Sequence, residues 1–457
     1  MSLKINSQSS SFGFASSMGA IMASVGAAVG LGNIWRFPYI CGKYGGAAFL
    51  LVYLFFVFFI GMVLLMSEFV IGRRTGHTPV LAMQALAPKK NSKWKLVGWF
   101  ALFGCFVIST QYDVISGWAF DYFWHSCTGS LSGLGVDSEK VSTFFDSFST
   151  STVEPIVFLF LFALLVMVVI LGGVRKGIEN VSKVLMPMLL ILVLVLCVRS
   201  LTLPNAIEGV KYLFTPDFSK LTYEGISAAL GQALFSLSVG FGTMIVYGSY
   251  LPKSDNLLRT SMFITASDTL IAVLAGVAIF PAVFSCGMDP QGGPGLVFKV
   301  LPVVFNSMDS LGGIFSMLFF LLLVVAALTS AISMLEVLVS ASCEHSSISR
   351  RESTVLFSFL TILFAAVISL SNGVWSGFKI AGMTLFDFVD KINSLYIPPI
   401  CSLATVIFFG WVIPKDVIRE ELSNNGTLKI GYFKLLMFLA RYVAPLALLM
   451  VLFNGII

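Results

Sequence analysis

Two short runs in this chain join flexible backbone to a polar neighbour. Val29-Gly30-Leu31-Gly32-Asn33 is echoed by Val239-Gly240-Phe241-Gly242-Thr243, with three of five residues identical. The first lies within Ser24 to Tyr39, an apolar stretch that also holds Gly26 and the charged Arg36. Glycines in apolar helices let neighbouring helices pack closely, or let a helix unwind, which a membrane tolerates only where the freed backbone lines a cavity or binds something. Freed carbonyls can ligate a small cation, and the N–H groups that open a resumed helix favour an anion. Both uses stay open on these residues alone. Paired interruptions in corresponding halves of a chain point to the substrate site of an inverted-repeat transporter.

Hydrolytic chemistry has no comparable footing. His77, His125 and His345 lie outside the deep parts of the apolar runs, and neither HExxH nor GxSxG occurs. The seven Cys (Cys41, Cys105, Cys127, Cys197, Cys286, Cys343, Cys401) are scattered without CxxC or zinc-type spacing and read as small packing residues. The chain does not read as an enzyme.

The elements that must position these residues follow from composition. The 457 residues are 57% hydrophobic and 11% charged, with 43 Phe, and the mean hydropathy is +0.94. So little polar surface cannot cover a soluble globule of this size, which places the chain in a lipid bilayer. The net charge of +5 does not mark nucleic-acid binding, because no basic, aromatic-interleaved domain occurs. The positive residues gather in short loops between apolar runs.

Eleven runs are long enough to span, at about 20 residues each: 14–43, 46–72, 96–126, 155–171, 181–203, 224–250, 259–287, 311–343, 354–371, 380–412 and 432–454. Arg73, Arg74, Lys89, Lys90, Lys93 and Lys95 follow span 2, Arg175, Lys176 and Lys183 follow span 4, Lys253 and Arg259 follow span 6, and Arg350 and Arg351 follow span 8. By the positive-inside tendency these loops are cytoplasmic, with the N-terminus inside and the C-terminus outside. The acidic, Ser/Gly-rich segment after span 3 reads as an exterior loop. Residues 204–223 read as an amphipathic segment along the outer interface, and the Pro/Gly-broken 289–308 as an external lid. The start, MSLKINSQSSS, leads into a run too long for a signal-peptide h-region, so no signal peptide is expected.

The segments AAVGLGNIWRFPYICGKYGGAAFLLVY, GQALFSLSVGFG, DTLIAVLAGVAIFP and AALTSAISMLE, in spans 1, 6, 7 and 8, carry a family resemblance. The chain resembles a bacterial member of the neurotransmitter:sodium symporter family, similar to the bacterial leucine and tyrosine sodium symporters, over essentially its whole length. The resemblance implies an all-α polytopic membrane protein with a 5+5 inverted repeat, helices 1 and 6 unwound, and an extra C-terminal helix. The corresponding units are a cytoplasmic tail at 1–13, repeats at 14–203 and 224–412, a cytoplasmic loop at 413–431 and a last span within 432–457. It implies a multi-pass protein of the inner (plasma) membrane.

The same resemblance implies a site. One sodium ion is expected on the carbonyls of Gly26, Val29 and Ala326 with the hydroxyls of Thr329 and Ser330. A second is expected on the Ala28 carbonyl, Asn33, Ser236 and Asp268, with the substrate carboxylate. Such ions are hard and take oxygen ligands. Tyr53, Gln232 and Ser236 match a family chloride site whose further Ser is Ala272 here, so the Asp268 charge is expected to make chloride unnecessary. Leu31 and Gly32 N–H with the Tyr112 hydroxyl are expected at the substrate carboxylate, and the Phe235 and Ser236 carbonyls with the Ser238 hydroxyl at its amine; Ala28 and Ser330 complete that set. Gly30, where monoamine carriers of the family have Asp, argues for an intact α-amino acid. Ile108, Phe235, Phe241 and Met334 offer an apolar pocket for a hydrophobic or aromatic side chain. Arg36 and Asp390 are expected to pair above the substrate, Phe241 and Tyr112 to form a lid, and Glu68 to bind freed N–H groups of span 6.

The chain departs from the family where an Arg and a Trp usually close the cytoplasmic side against an acid: it has Ser11, Phe14 and Glu344. Asp113 and Glu336 add acids with no evident basic partner, which admits a proton in transport. The expected function is sodium-coupled import of a hydrophobic or aromatic L-amino acid by alternating access. The alternative is a non-transporting amino-acid sensor on the same scaffold.

Overall fold

The computed structural model of the protein describes residues 13–89, 92–289 and 296–454. Among them, nine helices are long and apolar enough to cross a membrane, and one further pair, Ser17–Ala28 and Gly32–Lys43, passes the same test as a single span bent by 43°. The remaining expected span, span 6 at 224–250, is two helices, Tyr223–Ser236 and Thr243–Tyr250, each too short to cross by itself. The outer helices turn Phe160, Val168, Val198, Phe359 and Leu446 outward. Such a surface is stable in hydrocarbon and not in water.

The two breaks use glycine differently. Between the halves of span 6, Ser238, Gly240 and Gly242 have φ of 52°, 85° and 76°, a left-handed backbone that glycine adopts freely and Ser238 only at some cost. In span 1 the chain turns at Val29, which is extended (φ −74°, ψ 109°), and Gly30 and Gly32 do not take positive φ. There glycine serves close approach. A Cβ on Gly30 would stand 2.2 Å from Ser330 Oγ and 2.7 Å from the Tyr112 hydroxyl, and one on Gly32 would stand 2.9 Å from the Phe235 ring. Both uses of the motif occur, one in each half.

Spans 3 (Lys95–Cys127) and 8 (Gly312–His345) pack along their lengths, and the first half of span 1 packs against span 8, span 5 (Val174–Leu201) and span 7 (Leu257–Ser285). Span 5 starts earlier than expected, through a π-helical turn at Val174–Glu179. The segment after span 3 is not a plain loop. Asp137 caps a helix, Ser138–Thr150, by accepting the N–H groups of Glu139 and Lys140 at 3.0 and 3.2 Å, and Val141 and Phe148 are buried. Within 204–223 the helix is Ala206–Phe214. Of the expected lid, 290–295 lie outside the described residues. The remainder, Leu296–Asn306, folds back so that Phe298 lies 5.2 Å from Tyr122 and 5.9 Å from Trp118, ring to ring, at one end of span 3.

Candidate functional site

The five oxygen donors expected of the first sodium site converge. Ser330 Oγ lies 3.4 Å from both the Gly26 and the Val29 carbonyl oxygens, and Thr329 Oγ1 lies 3.4 Å from the Val29 oxygen and 3.0 Å from that of Ala326. The break at Val29 leaves carbonyls of span 1 without helical partners, and one turn of span 8 presents both hydroxyls to them. A hydroxyl-to-carbonyl hydrogen bond is normally about 2.5–3.0 Å, so the three longer separations are poor hydrogen bonds. They match the edge between adjacent oxygen ligands of one hard cation, roughly 3.3–3.7 Å for right-angled ligands at about 2.3–2.6 Å. The donor set therefore fits a sodium ion.

A second buried cluster surrounds Asp268, which is 0% exposed. Its carboxylate accepts from Ser236 Oγ at 2.9 and 2.7 Å and from Asn33 Nδ2 at 2.7 Å, with the Tyr53 hydroxyl at 3.5 Å. The Asn33 amide differs from its expected part. Its Oδ1 accepts the Gly30 N–H at 3.1 Å, and its nitrogen faces Asp268, because a carboxylate draws N–H donors. Gln232 also stands apart from Asp268: it donates to the Gly32 carbonyl at 2.8 Å and accepts from Arg36 at 2.6 Å.

Between the clusters lies an enclosed cavity of about 20 Å³, lined by Ala28, Gly30, Gly32, Ile108, Tyr112, Phe235, Ser238, Phe241, Thr243, Ser330 and Met334. Ten of these residue positions were singled out from sequence; Thr243 was noted only within the glycine echo. The Leu31 N–H donates to the Tyr112 hydroxyl at 3.0 Å, and Ser238 Oγ donates to the Ala27 carbonyl at 2.7 Å, tying the two breaks together. Asp113 lines a separate, smaller cavity with Ser109, Ser358 and Thr361, on the far side of Tyr112 and Met334.

Above the cavity the expected Arg36–Asp390 pair is not direct. Arg36 donates to Gln232 and lies 5.0 Å from the centre of the Phe235 ring, while Asp390 accepts from Gln111 Nε2 at 2.7 Å. Each charge meets an uncharged amide, although Arg36 Nε has no hydrogen-bond partner among the described residues. Glu68 sits at the resumed half of span 6, accepting the Gly240 N–H at 2.7 Å beside the N–H groups of Met244 and Ile245. Placing a carboxylate at a helix N-terminus is favourable.

The end expected on the cytoplasmic side also differs from expectation. Ser11 lies outside the described residues. Phe14 packs on Tyr247 and Tyr250, ring centres 5.7 Å away in each case. Glu344 turns to the segment after span 2, accepting from Thr78 N–H at 2.8 Å and pairing with His77 at 2.5 Å. Glu336 does have a basic partner: Arg350, which opens span 9, meets it at 3.0 and 2.5 Å, and the Tyr250 hydroxyl donates to it at 2.7 Å. Sequence reasoning passed over Glu179, which accepts the Ala15 N–H at 2.6 Å and the Ser16 hydroxyl at 2.9 Å while pairing with Lys183 at 2.7 Å. The available signal was an acid at the start of span 5, four residues before a lysine.

Two interrupted helices among continuous ones, with oxygen ligands and an apolar cavity at the interruptions, fit a membrane transporter built on broken helices. The sequence pattern of the sodium:neurotransmitter symporter family matches residues 13–142 and 138–457. The chain is 39% identical over 441 residues to the uncharacterized sodium-dependent transporter YhdH of Bacillus subtilis, covering 96% of this chain and 97% of that one. It is 35% identical over 446 residues to an uncharacterized sodium-dependent transporter of Haemophilus influenzae, covering 95% and 96%. Its structure resembles that of MhsT solved in complex with L-phenylalanine, with a TM-score of 0.90 at 39% identity over 97% of this chain and 99% of that one. The chain belongs to the sodium:neurotransmitter symporter family and is a multi-pass, sodium-dependent membrane transporter.

Proposed function

We propose that the protein imports a hydrophobic or aromatic L-amino acid together with two sodium ions, without a need for chloride. The observation that carries this reading is the cavity at the two breaks. Its walls are apolar at Ile108, Phe235, Phe241 and Met334, and Ser238, Ser330 and Tyr112 add hydroxyls to the lining. Gly30 leaves no side-chain charge there to hold a decarboxylated amine. The likeness to MhsT, solved with L-phenylalanine, supports the same class of substrate. Gly26, Val29, Ala326, Thr329 and Ser330 hold one ion, and Ala28, Asn33, Ser236 and Asp268, with the substrate carboxylate, the other. The Lys/Arg-rich loops put the N-terminus in the cytoplasm and the C-terminus outside. Sodium-gradient-driven uptake into proteoliposomes, run against a panel of amino acids with and without chloride, tests the reading. Accumulation confined to apolar and aromatic substrates supports it; binding without accumulation would instead identify a sensor.

A further inference from the structure

Span 3 carries a second polar cluster at the end away from the Lys/Arg-rich loops. Asp121 and His125 stand four residues apart on Lys95–Cys127, and therefore on one face. Glu154 opens the next helix, Glu154–Leu171. His125 Nε2 lies 3.5 Å from Asp121 Oδ1 and 3.4 Å from Glu154 Oε1, and one ligand atom from each of the three residues falls within 4.8 Å of the others. Asp121 is 0% exposed, yet neither of its carboxylate oxygens has a hydrogen-bond partner among the described residues. An anion buried in that way is costly unless something compensates it. His125 and Glu154 are 19% and 45% exposed, so the cluster opens to water.

A proton on His125 does not complete this arrangement. Nε2 carries at most one hydrogen and cannot serve both carboxylates at once. The separations also exceed the roughly 2.7–2.9 Å of a charge-assisted N–H···O bond. They fit a shared ion instead. With zinc–nitrogen and zinc–oxygen distances of about 2.0–2.2 Å, tetrahedral ligands stand roughly 3.3–3.6 Å apart. We propose that Asp121, His125 and Glu154 bind one divalent transition-metal ion, zinc by ligand type, taken from the aqueous phase on this side of the membrane, with water in the fourth position. Two carboxylates balance the dication, and ligation through Nε2 leaves the imidazole proton on Nδ1. One imidazole and two carboxylates suit zinc, whereas calcium and magnesium call for more oxygens. The ion ties the start of span 4 to the helix whose Ile108 and Tyr112 line the transport cavity.

The test is a zinc titration of the full-length protein without a polyhistidine tag, by calorimetry, alongside cobalt absorption spectra. The expected result is one saturable zinc site per chain, unaffected by a large excess of calcium or magnesium, and a visible cobalt band of tetrahedral type. His125→Gln and Glu154→Gln should each weaken zinc binding by about tenfold or more and remove the cobalt band. Glu154 is half-exposed, so its variant keeps the test decisive if changes at Asp121 or His125 disturb folding; melting without metal checks this. The proposal is overturned if the wild-type chain shows no saturable site, or if the variants keep its affinity and spectrum.

Discussion

Both carboxylate oxygens of Asp268 lie within hydrogen-bond reach of the one Ser236 hydroxyl, at 2.9 and 2.7 Å. A single hydroxyl hydrogen serves one oxygen at a time, so the carboxyl group keeps spare acceptor capacity toward a cation. Uptake by the wild-type chain should be indifferent to replacing chloride by gluconate. Asp268→Asn keeps an oxygen but removes the charge that compensates a cation in a low-dielectric site, and sodium affinity and uptake should fall. Adding Ala272→Ser to that variant should restore part of the uptake and make it chloride-dependent. A chloride requirement in the wild type, or unchanged sodium affinity in the Asn variant, would contradict the idea.

The convergence at Thr329 and Ser330 sets a second expectation. Thr329→Val with Ser330→Ala removes two oxygens at nearly constant volume. If each ligand contributes about 1–1.5 kcal/mol, the apparent sodium affinity should weaken by about thirty-fold or more, with membrane insertion unaffected. Sodium titration of substrate binding is the measurement.

Gly30 is constrained by space as well as by charge. Even Gly30→Ala places a Cβ 2.2 Å from Ser330 Oγ, and overpacking of that kind typically costs about 1–3 kcal/mol. Substrate affinity should drop for Ala and collapse for Gly30→Asp, whose carboxylate repels that of an amino acid. Retained wild-type affinity in an equilibrium binding assay would place the substrate elsewhere.

Glu336 is fully buried and depends on Arg350. Among the described residues, Arg350→Met leaves that acid with only the Tyr250 hydroxyl, and breaking one side of a buried pair costs about 3–5 kcal/mol. The double variant Arg350→Met with Glu336→Gln should melt at a higher temperature than Arg350→Met alone. Equal melting temperatures would mean that the pair does not act as a unit.

His77 supplies a pH-dependent contact. Its hydrogen bond to Glu344 holds the imidazole above its ordinary pKa. A raised pKa means that the contact is fully present below the unfolded value of about 6.5 and is lost as pH rises through the higher folded value. Compared with His77→Gln, the wild type should melt higher in acid, and the difference should vanish in alkaline buffer.

Much of this was legible because the membrane imposes its own periodicity. Hydrophobic runs located nearly every crossing, and the glycine echo located both interruptions, since unwound backbone in lipid needs a special residue. The residues around the cavity followed from family motifs. What stayed hidden depended on pairings across long sequence distances. Nothing local indicates that Arg350 reaches back along span 8 to Glu336, that Gln232 takes Arg36 while Gln111 takes Asp390, or that Glu179 holds Ala15. The helix Ser138–Thr150 was legible and overlooked: Asp137 is a good N-cap, and Val141, Phe144, Phe145 and Phe148 recur at helical spacing, but its Ser and acidic content resembled a loop.

The break at Val29 also makes the first half of span 1 a lever. Its 12 residues, Ser17–Ala28, measure about 18 Å at 1.5 Å per residue. A swing of about 10° about the break moves the far tip by roughly 3 Å while Gly26 and Val29, beside the fulcrum, hardly shift. That stroke is as long as the contacts from Ala15 and Ser16 to Glu179, so a swing of that size would part this end of span 1 from span 5 while carbonyls and hydroxyls at the fulcrum keep their mutual spacing.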